Sequence, residues 1–344
     1  MSTRPFVSII MPVFNEERFI AHSLAAALAQ DYPADRLELI VADGRSTDRT
    51  REIVVSLQAK HPNLRLIDNP ERIVSTGLNR AIRCARGTII IRLDGHCEYP
   101  RDYVRQVVEL REQTGADNAG GILVPQGNGT YTSQAVAAAC YSPVGIGGAM
   151  RGHTVATRVC EVDTVHGGCW RRDQLLGLGG FDEEMVRNQD DELSFRLRKA
   201  NGRIVRSSAI PVKYWVRDRY RLLFLQFAQF GYWKVRVVQK HPQQSSLRHL
   251  VPALFIVAVL MSALFAPFTA IGRWVCLGLV SAYAISIAAA AFYEASRTKW
   301  RLGPGIAAAL PTMHLGYGCG FLLGWLRWLH GPLPTDRIFE LSSR

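Results

Sequence analysis

No two cysteines of this 344-residue chain stand at C-x-x-C spacing. Its seven cysteines are scattered, and an odd count without ligand spacing argues against a disulfide framework or a zinc module and predicts reduced thiols in a cytosolic compartment. Charge is also scarce in one place. From Leu250 to Leu326 only Arg273, Glu294, Arg297, Lys299 and Arg301 carry any. That poverty excludes a chain bathed in water throughout and predicts a water-facing part followed by a lipid-facing tail. The water-facing domain contains no basic run interleaved with aromatics, so nucleic acid is not an expected partner despite the net charge of +12. The basic excess suits anionic partners, such as a nucleotide diphosphate, a polyprenyl phosphate or an anionic leaflet, and Lys and Arg flanking membrane spans explain part of it. There is no internal repeat and no low-complexity segment. Met1 to Pro5 is too short and polar for a signal peptide, which predicts that the water-facing part stays in the cytoplasm.

What is present begins with alternation of apolar runs and helical spacing. Val7–Met11 reads as a buried strand ended by Pro12, and Glu16–Leu28 as a helix with Phe19, Ile20, Leu24 and Leu28 on one face. Leu37–Ala42, Leu64–Ile67 and Thr88–Leu93 read as further strands. Between them lie a helix capped by Ser46 or Thr47 and reaching Lys60, and a second helix over Ile73–Arg86. Such alternation predicts a parallel α/β sheet, whose ligands bind outside the carboxyl ends of the strands. Asn15, Asp43 and Asp94 all fall at that edge. The later part is looser: a helix over Arg101–Thr114, strands at Ala119–Val124 and Glu161–Val165, Gly-rich loops at 127–129 and 145–152, and a short helix over Asp190–Ala200 closed by Asn201-Gly202.

The residues that bear chemistry stand at strand ends. Arg92-Leu93-Asp94-Gly95-His96 delivers an aspartate and a histidine, two residues apart, to one open sheet edge, where they can share a divalent cation. Asp43 precedes Gly44, so its carboxylate can reach a base imide N–H; by position alone it is equally a helix-start aspartate complementing a dipole. Asn188-Gln189-Asp190-Asp191-Glu192-Leu193 is an acidic helix start that by itself reads as solvated.

Taken together, Val7–Glu16, Leu39–Asp48, Arg92–His96, Gly179-Gly180-Phe181-Asp182 and Asn188–Leu193 resemble a family 2 glycosyltransferase with a GT-A fold, a Rossmann-like nucleotide-sugar-binding domain. The branch is similar to the succinoglycan-type exopolysaccharide glucosyltransferases, and the resemblance covers roughly Val7 to Lys240. It implies an enzyme that binds a UDP-sugar through Pro12, Phe14, Asn15, Glu16, Asp43, Asn79 and Asp94, with Arg72 a weaker candidate. Asp94 and His96 match the D-x-D position, with His96 in place of the usual second aspartate. That change implies a divalent cation, Mn²⁺ in preference to Mg²⁺; the alternative is a His96 that contacts phosphate and no metal. Asp190 matches the general base, with Asp191 as fallback. The helix dipole favours its ionised form and makes it a weaker base.

Gly168, Trp170, Gln229 and Trp233 match acceptor-binding positions, and His166 is a weaker candidate for the same wall. Trp170 is equally a core tryptophan. Tyr232 stands where processive synthases carry an arginine, which disfavours a polymerase. The expected activity is inverting transfer of one sugar, best guess β-linked glucose, to a polyprenyl-diphosphate-linked glycan at the bacterial inner membrane, alongside other exopolysaccharide-assembly proteins. Polyprenyl-phosphate glycosyl transfer, or a non-catalytic nucleotide-binding membrane scaffold, are the rivals.

This reading divides the chain into a cytoplasmic GT-A domain over 1–215, amphipathic interfacial helices over 216–249, a transmembrane region over 250–330 with spans at 250–271, 274–293 and 302–326, and a tail over 331–344. Arg219–Lys240 is amphipathic and suits either a membrane interface or packing on protein. Gly316, Gly320 and Gly324 recur every four residues, the pattern of a close helix-packing face. His314 within that span predicts a hydrogen bond to a neighbouring helix or, less favoured, a lipid headgroup contact.

Overall fold

The computed structural model describes residues 4–95, 97–145, 159–244 and 246–329. Two units emerge: Met1–Val124 with Gly152–Tyr214, and Pro125–Arg151 with Trp215–Arg344. His96, part of the 145–152 loop and the tail after Leu329 lie outside the described residues.

The first unit is built on β1 (Val7–Val13), β2 (Leu37–Asp43), β3 (Leu64–Asp68) and β4 (Ile89–Arg92), linked by α1 (Ile20–Leu28), α2 (Thr50–Gln58) and α3 (Val74–Cys84). These strands are parallel in the order β3-β2-β1-β4. Residues two apart share a face, so Val7, Ile9, Met11 and Val13 join one core with Leu39 and Val41. Ile10, Ile40 and Ile90 join the other. Near-continuous apolar strands are what a sheet covered on both faces demands.

Pro12 does not end β1 as its type suggests. The strand continues through it, paired with Ala42. The Ile10 carbonyl accepts from the Leu93 N–H on the β4 side, so Pro12, two residues on, directs its nitrogen to that same side. Pairing with β4 has already stopped at Ile10, and the missing N–H breaks no ladder bond. Ser46 and Thr47 do not cap α2 either. That helix starts at Thr50, whose N–H bonds Asp48 Oδ1 at 3.0 Å, while Ser46 and Thr47 serve the site described below.

The sheet is mixed rather than wholly parallel. β5 (Cys97–Glu98), β6 (Asn118–Gln126), β7 (Val159–Glu161), β8 (Cys169–Arg171) and β9 (Ile204–Trp215) extend it in the order β4-β8-β6-β9-β5, with β7 on β9. β8 runs antiparallel to β4. The strand expected at Glu161–Val165 starts two residues earlier and ends four earlier, because Val159–Glu161 pairs with β9 while Val165 is drawn into a separate buried cluster. α4 (Tyr103–Thr114) and α7 (Gln189–Lys199) pack beside this half.

The second unit is helical. α5 (Tyr131–Tyr141), α8 (Tyr220–Lys240), α9 (Leu247–Phe265), α10 (Ala270–Arg297) and α11 (Gly303–Trp328) compose it, together with short turns; α6 (Arg172–Gly177) belongs to the first unit. α11 is the hub, in contact with α5, α8, α9 and α10. The four-residue glycine row faces a four-residue row on α8. A Cβ at Gly316 would lie 2.7 Å from the Phe224 carbonyl oxygen, one at Gly324 2.7 Å from that of Tyr232, and Gly320 touches Ala228 between them. Only glycine admits backbones this close. His314 bonds the neighbouring helix as predicted, with Nδ1 3.0 Å from the Tyr283 hydroxyl of α10.

α10 and the segment Trp300–Trp328 are long and apolar enough to cross a membrane, and His249–Phe265 is a shorter apolar helix. The break between α9 and α10 comes earlier than the sequence pattern puts it. Pro267 lies in the turn, and the Thr269 hydroxyl caps α10 by accepting the Gly272 N–H at 3.0 Å.

Candidate active site

Two parallel strands deliver the first group of side chains. β1 ends at Val13, and Asn15 turns the chain with φ 53°, a left-handed value that asparagine tolerates. Asn15 Oδ1 accepts the Thr47 N–H at 2.8 Å, and its own N–H donates to Ser46 Oγ at 3.0 Å. The Glu16 N–H reaches Thr50 Oγ1 at 2.7 Å. Thus the loops after β1 and β2 are stitched into one wall. Asp43, fully buried at the end of β2, accepts from Ser46 Oγ at 2.6 Å and Arg51 Nη1 at 3.1 Å. Arg51 also holds Asp68 at 2.7 Å. Phe14 packs beneath the Arg72 guanidinium, 5.9 Å from ring centre to Cζ. Arg51 escaped the sequence reading, and Ser46 entered it only as a helix cap. The one signal for Arg51 is its place near the start of the helix that follows Asp43.

The second group centres on Arg92, the last residue of β4. Its guanidinium is buried and serves two carboxylates. Nε donates to Asp94 Oδ1 at 2.9 Å and Nη2 to Asp94 Oδ2 at 3.3 Å, while Nη1 bonds Asp190 Oδ1. The Asp94 N–H donates to the Tyr99 hydroxyl at 2.9 Å, and His166 Nε2 lies 3.2 Å from Asp94 Oδ2. Gly167 and Gly168 make this approach feasible, with φ of 72° and 107°. A side chain at Gly167 would press within 2.9 Å of the Arg92 carbonyl, and the Gly168 carbonyl accepts the Arg92 N–H at 3.2 Å. Sequence reasoning named Arg92 only as a motif neighbour and His166 only as a weak wall residue. The structure puts both at the centre.

Asp190 sits in the first turn of α7, with Asp191 and Glu192 beside it. Far from being solvated, its side chain is 23% exposed and is ion-paired with Arg92. Burial pushes its carboxyl above the ordinary aspartate value and the nearby Asp94 charge adds to this, against the pull of Arg92 and His166. This corrects the expectation that the helix dipole weakens it as a base. For His166 burial opposes protonation, but Asp94 and Cys97 prevail and its pKa is raised well above the ordinary value. Glu192 is used structurally. It pairs with Arg196 through two contacts of 2.7 Å, and Arg196 also holds the Gly180 carbonyl at 2.7 Å, fixing the Gly-Gly-Phe-Asp turn.

Other expected residues stand elsewhere. Asn79 is committed to that same turn: Nδ2 donates to the Phe181 carbonyl at 2.7 Å and to Glu183 at 2.9 Å, and Oδ1 accepts the Phe181 N–H at 2.8 Å. It braces the turn instead of facing a nucleotide. Trp170 is 2% exposed and packs edge-on against Phe181, 6.0 Å away, in the core with Ile10, Leu78 and Leu193. Strand alternation sends its ring inward, so it offers no stacking face to a sugar. Gly168 holds the β4 end as above. Gln229 and Trp233 belong to the helical unit and are buried there; Trp233 packs on Tyr232 and Trp328 at 5.6 and 5.9 Å. That burial disfavours an open acceptor wall at these two positions.

Comparison with known proteins agrees with this arrangement. The model of "Glycosyl transferase family 2" matches residues 8–152. The chain is 31% identical over 315 residues to the succinoglycan biosynthesis protein ExoA of Rhizobium meliloti (strain 1021), covering 91% of this chain and 93% of that one. It is 27% identical, over 68% of its length and 74% of the relative's, to the dolichyl N-acetyl-alpha-D-glucosaminyl phosphate 3-beta-D-2,3-diacetamido-2,3-dideoxy-beta-D-glucuronosyltransferase of Methanococcus voltae. Among solved structures, the mannosyltransferase PcManGT from Pyrobaculum calidifontis, in complex with GDP-Man and Mn²⁺, superposes with a TM-score of 0.62 at 21% identity, covering 95% of this chain and 89% of that chain. That likeness identifies the fold as GT-A. With its nearly full-length relative and its strand-end carboxylates, the chain belongs to glycosyl transferase family 2 and is a glycosyltransferase.

Proposed function

We propose that this enzyme transfers a single sugar, with inversion, from a UDP-sugar to a polyprenyl-diphosphate-linked glycan during exopolysaccharide assembly, glucose in β-linkage being the best candidate. The observation that carries the reading is Arg92, which brings the carboxylate expected on the donor side, Asp94, and the one expected on the acceptor side, Asp190, to one guanidinium. Support comes from the two relatives, one a succinoglycan biosynthesis protein and the other a transferase acting on a dolichyl N-acetyl-alpha-D-glucosaminyl phosphate. The apolar helices of the second unit suit a multi-pass membrane protein with a cytoplasmic catalytic face.

In this reading the wall made by Asn15, Ser46 and Asp43 receives the nucleotide, with Pro12, Phe14 and Glu16 in the same segment. Asp43 would reach the base and Phe14, under Arg72, would border it. Asp190 would accept the proton of the attacking sugar hydroxyl, and its raised pKa makes it a better base than an ordinary aspartate.

The pattern Asp94-x-His96 supports a divalent cation, because a mixed oxygen and nitrogen pair suits Mn²⁺ better than Mg²⁺. His96 lies outside the described residues, and among the described residues no cluster of three or more His, Cys, Asp or Glu is placed to hold an ion; His166 is committed to Asp94 as its ion-pair partner. Such an ion, when bound, would neutralise the diphosphate of the leaving UDP. Activity is expected to fall in EDTA and to return better with Mn²⁺ than with Mg²⁺, and His96→Asp is expected to move the preference toward Mg²⁺; full activity in chelator would remove the cation from the reading. The whole proposal is tested by incubating the membrane-embedded enzyme with a panel of radiolabelled sugar nucleotides and a bacterial lipid extract. UDP release coupled to a labelled, extractable lipid product is expected. Label appearing on a bare polyprenyl phosphate would instead identify the lipid phosphate as acceptor.

A further inference from the structure

We propose that Arg92 is a positioning residue that sets the Asp190 carboxylate for transfer, through a fork that ties it to Asp94; this rests on the reading of Asp190 as base. Four observations carry it. First, Arg92 is 4% exposed at the end of a strand whose other residues, Ile89, Ile90 and Ile91, are all buried and apolar. An arginine in that setting is costly unless its charge and donors are fully met. Second, its charge is met by two acids, Asp94 two residues on and Asp190 ninety-eight residues on. Third, the Arg92 backbone is fixed where it leaves the strand. The Gly168 carbonyl accepts its N–H at 3.2 Å, and Gly167 admits its carbonyl where any side chain would press within 2.9 Å. Fourth, α7 carries other acids at its start, yet Glu192 is taken by Arg196 through two contacts of 2.7 Å. Asp190 is the member of that trio held by Arg92.

The geometry needs a planar fork. Asp94 is engaged by Nε and Nη2, and Asp190 by Nη1, so three donors on one rigid plane fix two carboxylates at once. Lysine would keep the charge and lose the plane. Without Arg92 the two acids would repel, and α7 would have no charged tie to β4 at this point. Proximity and orientation then suffer. The turn pinned by Asn79 and Arg196 supports α7 from its other side, so the helix itself should survive loss of Arg92.

The test is a double-mutant cycle on the full-length enzyme in membranes, scored by labelled lipid product and by UDP affinity measured with Mn²⁺ present. Arg92→Lys is expected to lower kcat at least ~30-fold; because Arg92 also holds Asp94 on the donor side, any change in the apparent donor KM should be the same in both backgrounds, so that only kcat shows coupling to Asp190. In an Asp190→Asn background the same substitution should cost less than ~3-fold, because the carboxylate it positions has lost its role. Equal losses in both backgrounds would overturn the proposal. Arg92→Ala supplies a second, independent arm. If it retains UDP binding, added guanidinium should restore part of its rate and methylammonium should not; equal rescue by both, or by neither, would overturn the fork. If Arg92→Ala does not bind UDP, guanidinium is expected to restore binding and rate together, and binding restored without rate would count against positioning. Absence of any transfer by the wild-type enzyme would sink the functional reading and this proposal with it, whereas wild-type transfer with additive losses sinks this proposal alone.

Discussion

Asp190 and Asp191 are adjacent, yet the structure gives them different prospects. Asp190 is ion-paired with Arg92, and burial lifts its pKa. Asp190→Asn keeps the size and cannot accept a proton, so transfer should fall by ~10²–10⁴-fold with UDP affinity little changed. Asp191→Asn should cost far less; if it is the dead variant, the base lies one residue on. The raised pKa also has a sign. Asp190 must be ionised to act, so the acid limb of the kcat–pH profile is expected above the ordinary aspartate range, and a limb at or below that range would count against this base. Glu38, away from the site, makes a stability prediction. It is fully buried, receives Ser8 Oγ and the Arg86 N–H at 2.6 Å each, and pairs with the Arg86 side chain at 3.0 Å. Burial alone would raise its pKa, but the Ser8 and Arg86 contacts hold it below the ordinary value of 4.5. A lowered folded value means the contribution is full above the unfolded value and is lost as pH falls through the folded one. Glu38→Gln should therefore destabilise by about 1–3 kcal/mol at pH 7. Its melting midpoint should converge on the wild type's as pH drops below 4.5.

Among the elements, α8 and α11 show how a sequence period becomes a contact. Glycine at every fourth position of α11 makes a flat row, and the row meets Phe224, Ala228 and Tyr232 at the same period on α8. Gly320→Leu should force the helices apart and lower the thermal midpoint sharply. Gly278→Ala, on α10 with nothing within 4 Å of the new methyl, should be neutral or slightly stabilising by helix propensity. A Gly320→Leu variant as stable as Gly278→Ala would show that the interface tolerates separation. The parallel strands and the helices between them were legible because their apolar runs are long and bounded by polar turns. β5, β8 and β9 were not, and α5 was missed as well. β5 and β8 have two and three residues. Strands that short gain their identity from the partner they pair with, not from local pattern.

The whole molecule joins a GT-A domain to a helical unit with long apolar helices, and the topology we propose follows from charge. Arg297, Lys299 and Arg301 stand at the end of α10 and in the turn before α11, while Arg273 stands alone near the start of α10. The positive-inside rule then puts Arg219–His249 and Glu294–Arg301 in the cytoplasm and the chain end in the periplasm. Alkaline phosphatase fused after Arg344 should be active; an inactive fusion, with fluorescent green fluorescent protein at the same point, would remove one span. Sequence by itself determined the family, the parallel sheet with Asn15, Asp43 and Asp94 at its carboxyl edge, and the apolar tail, because motif spacing and hydropathy are local properties that survive without coordinates. Only the tertiary structure decided which polar residues share a site. Arg92 with Asp190, His166 with Asp94 and Arg51 with Asp43 are pairs made across 98, 72 and 8 positions. It also withdrew Asn79 and Trp170, since a side chain's role depends on the neighbour it meets: Asn79 found the Phe181 backbone and Trp170 found the core. Periodicity tells which face a residue takes. It does not tell what waits on that face, and the partners of a buried arginine can be read only where the chain has brought them together.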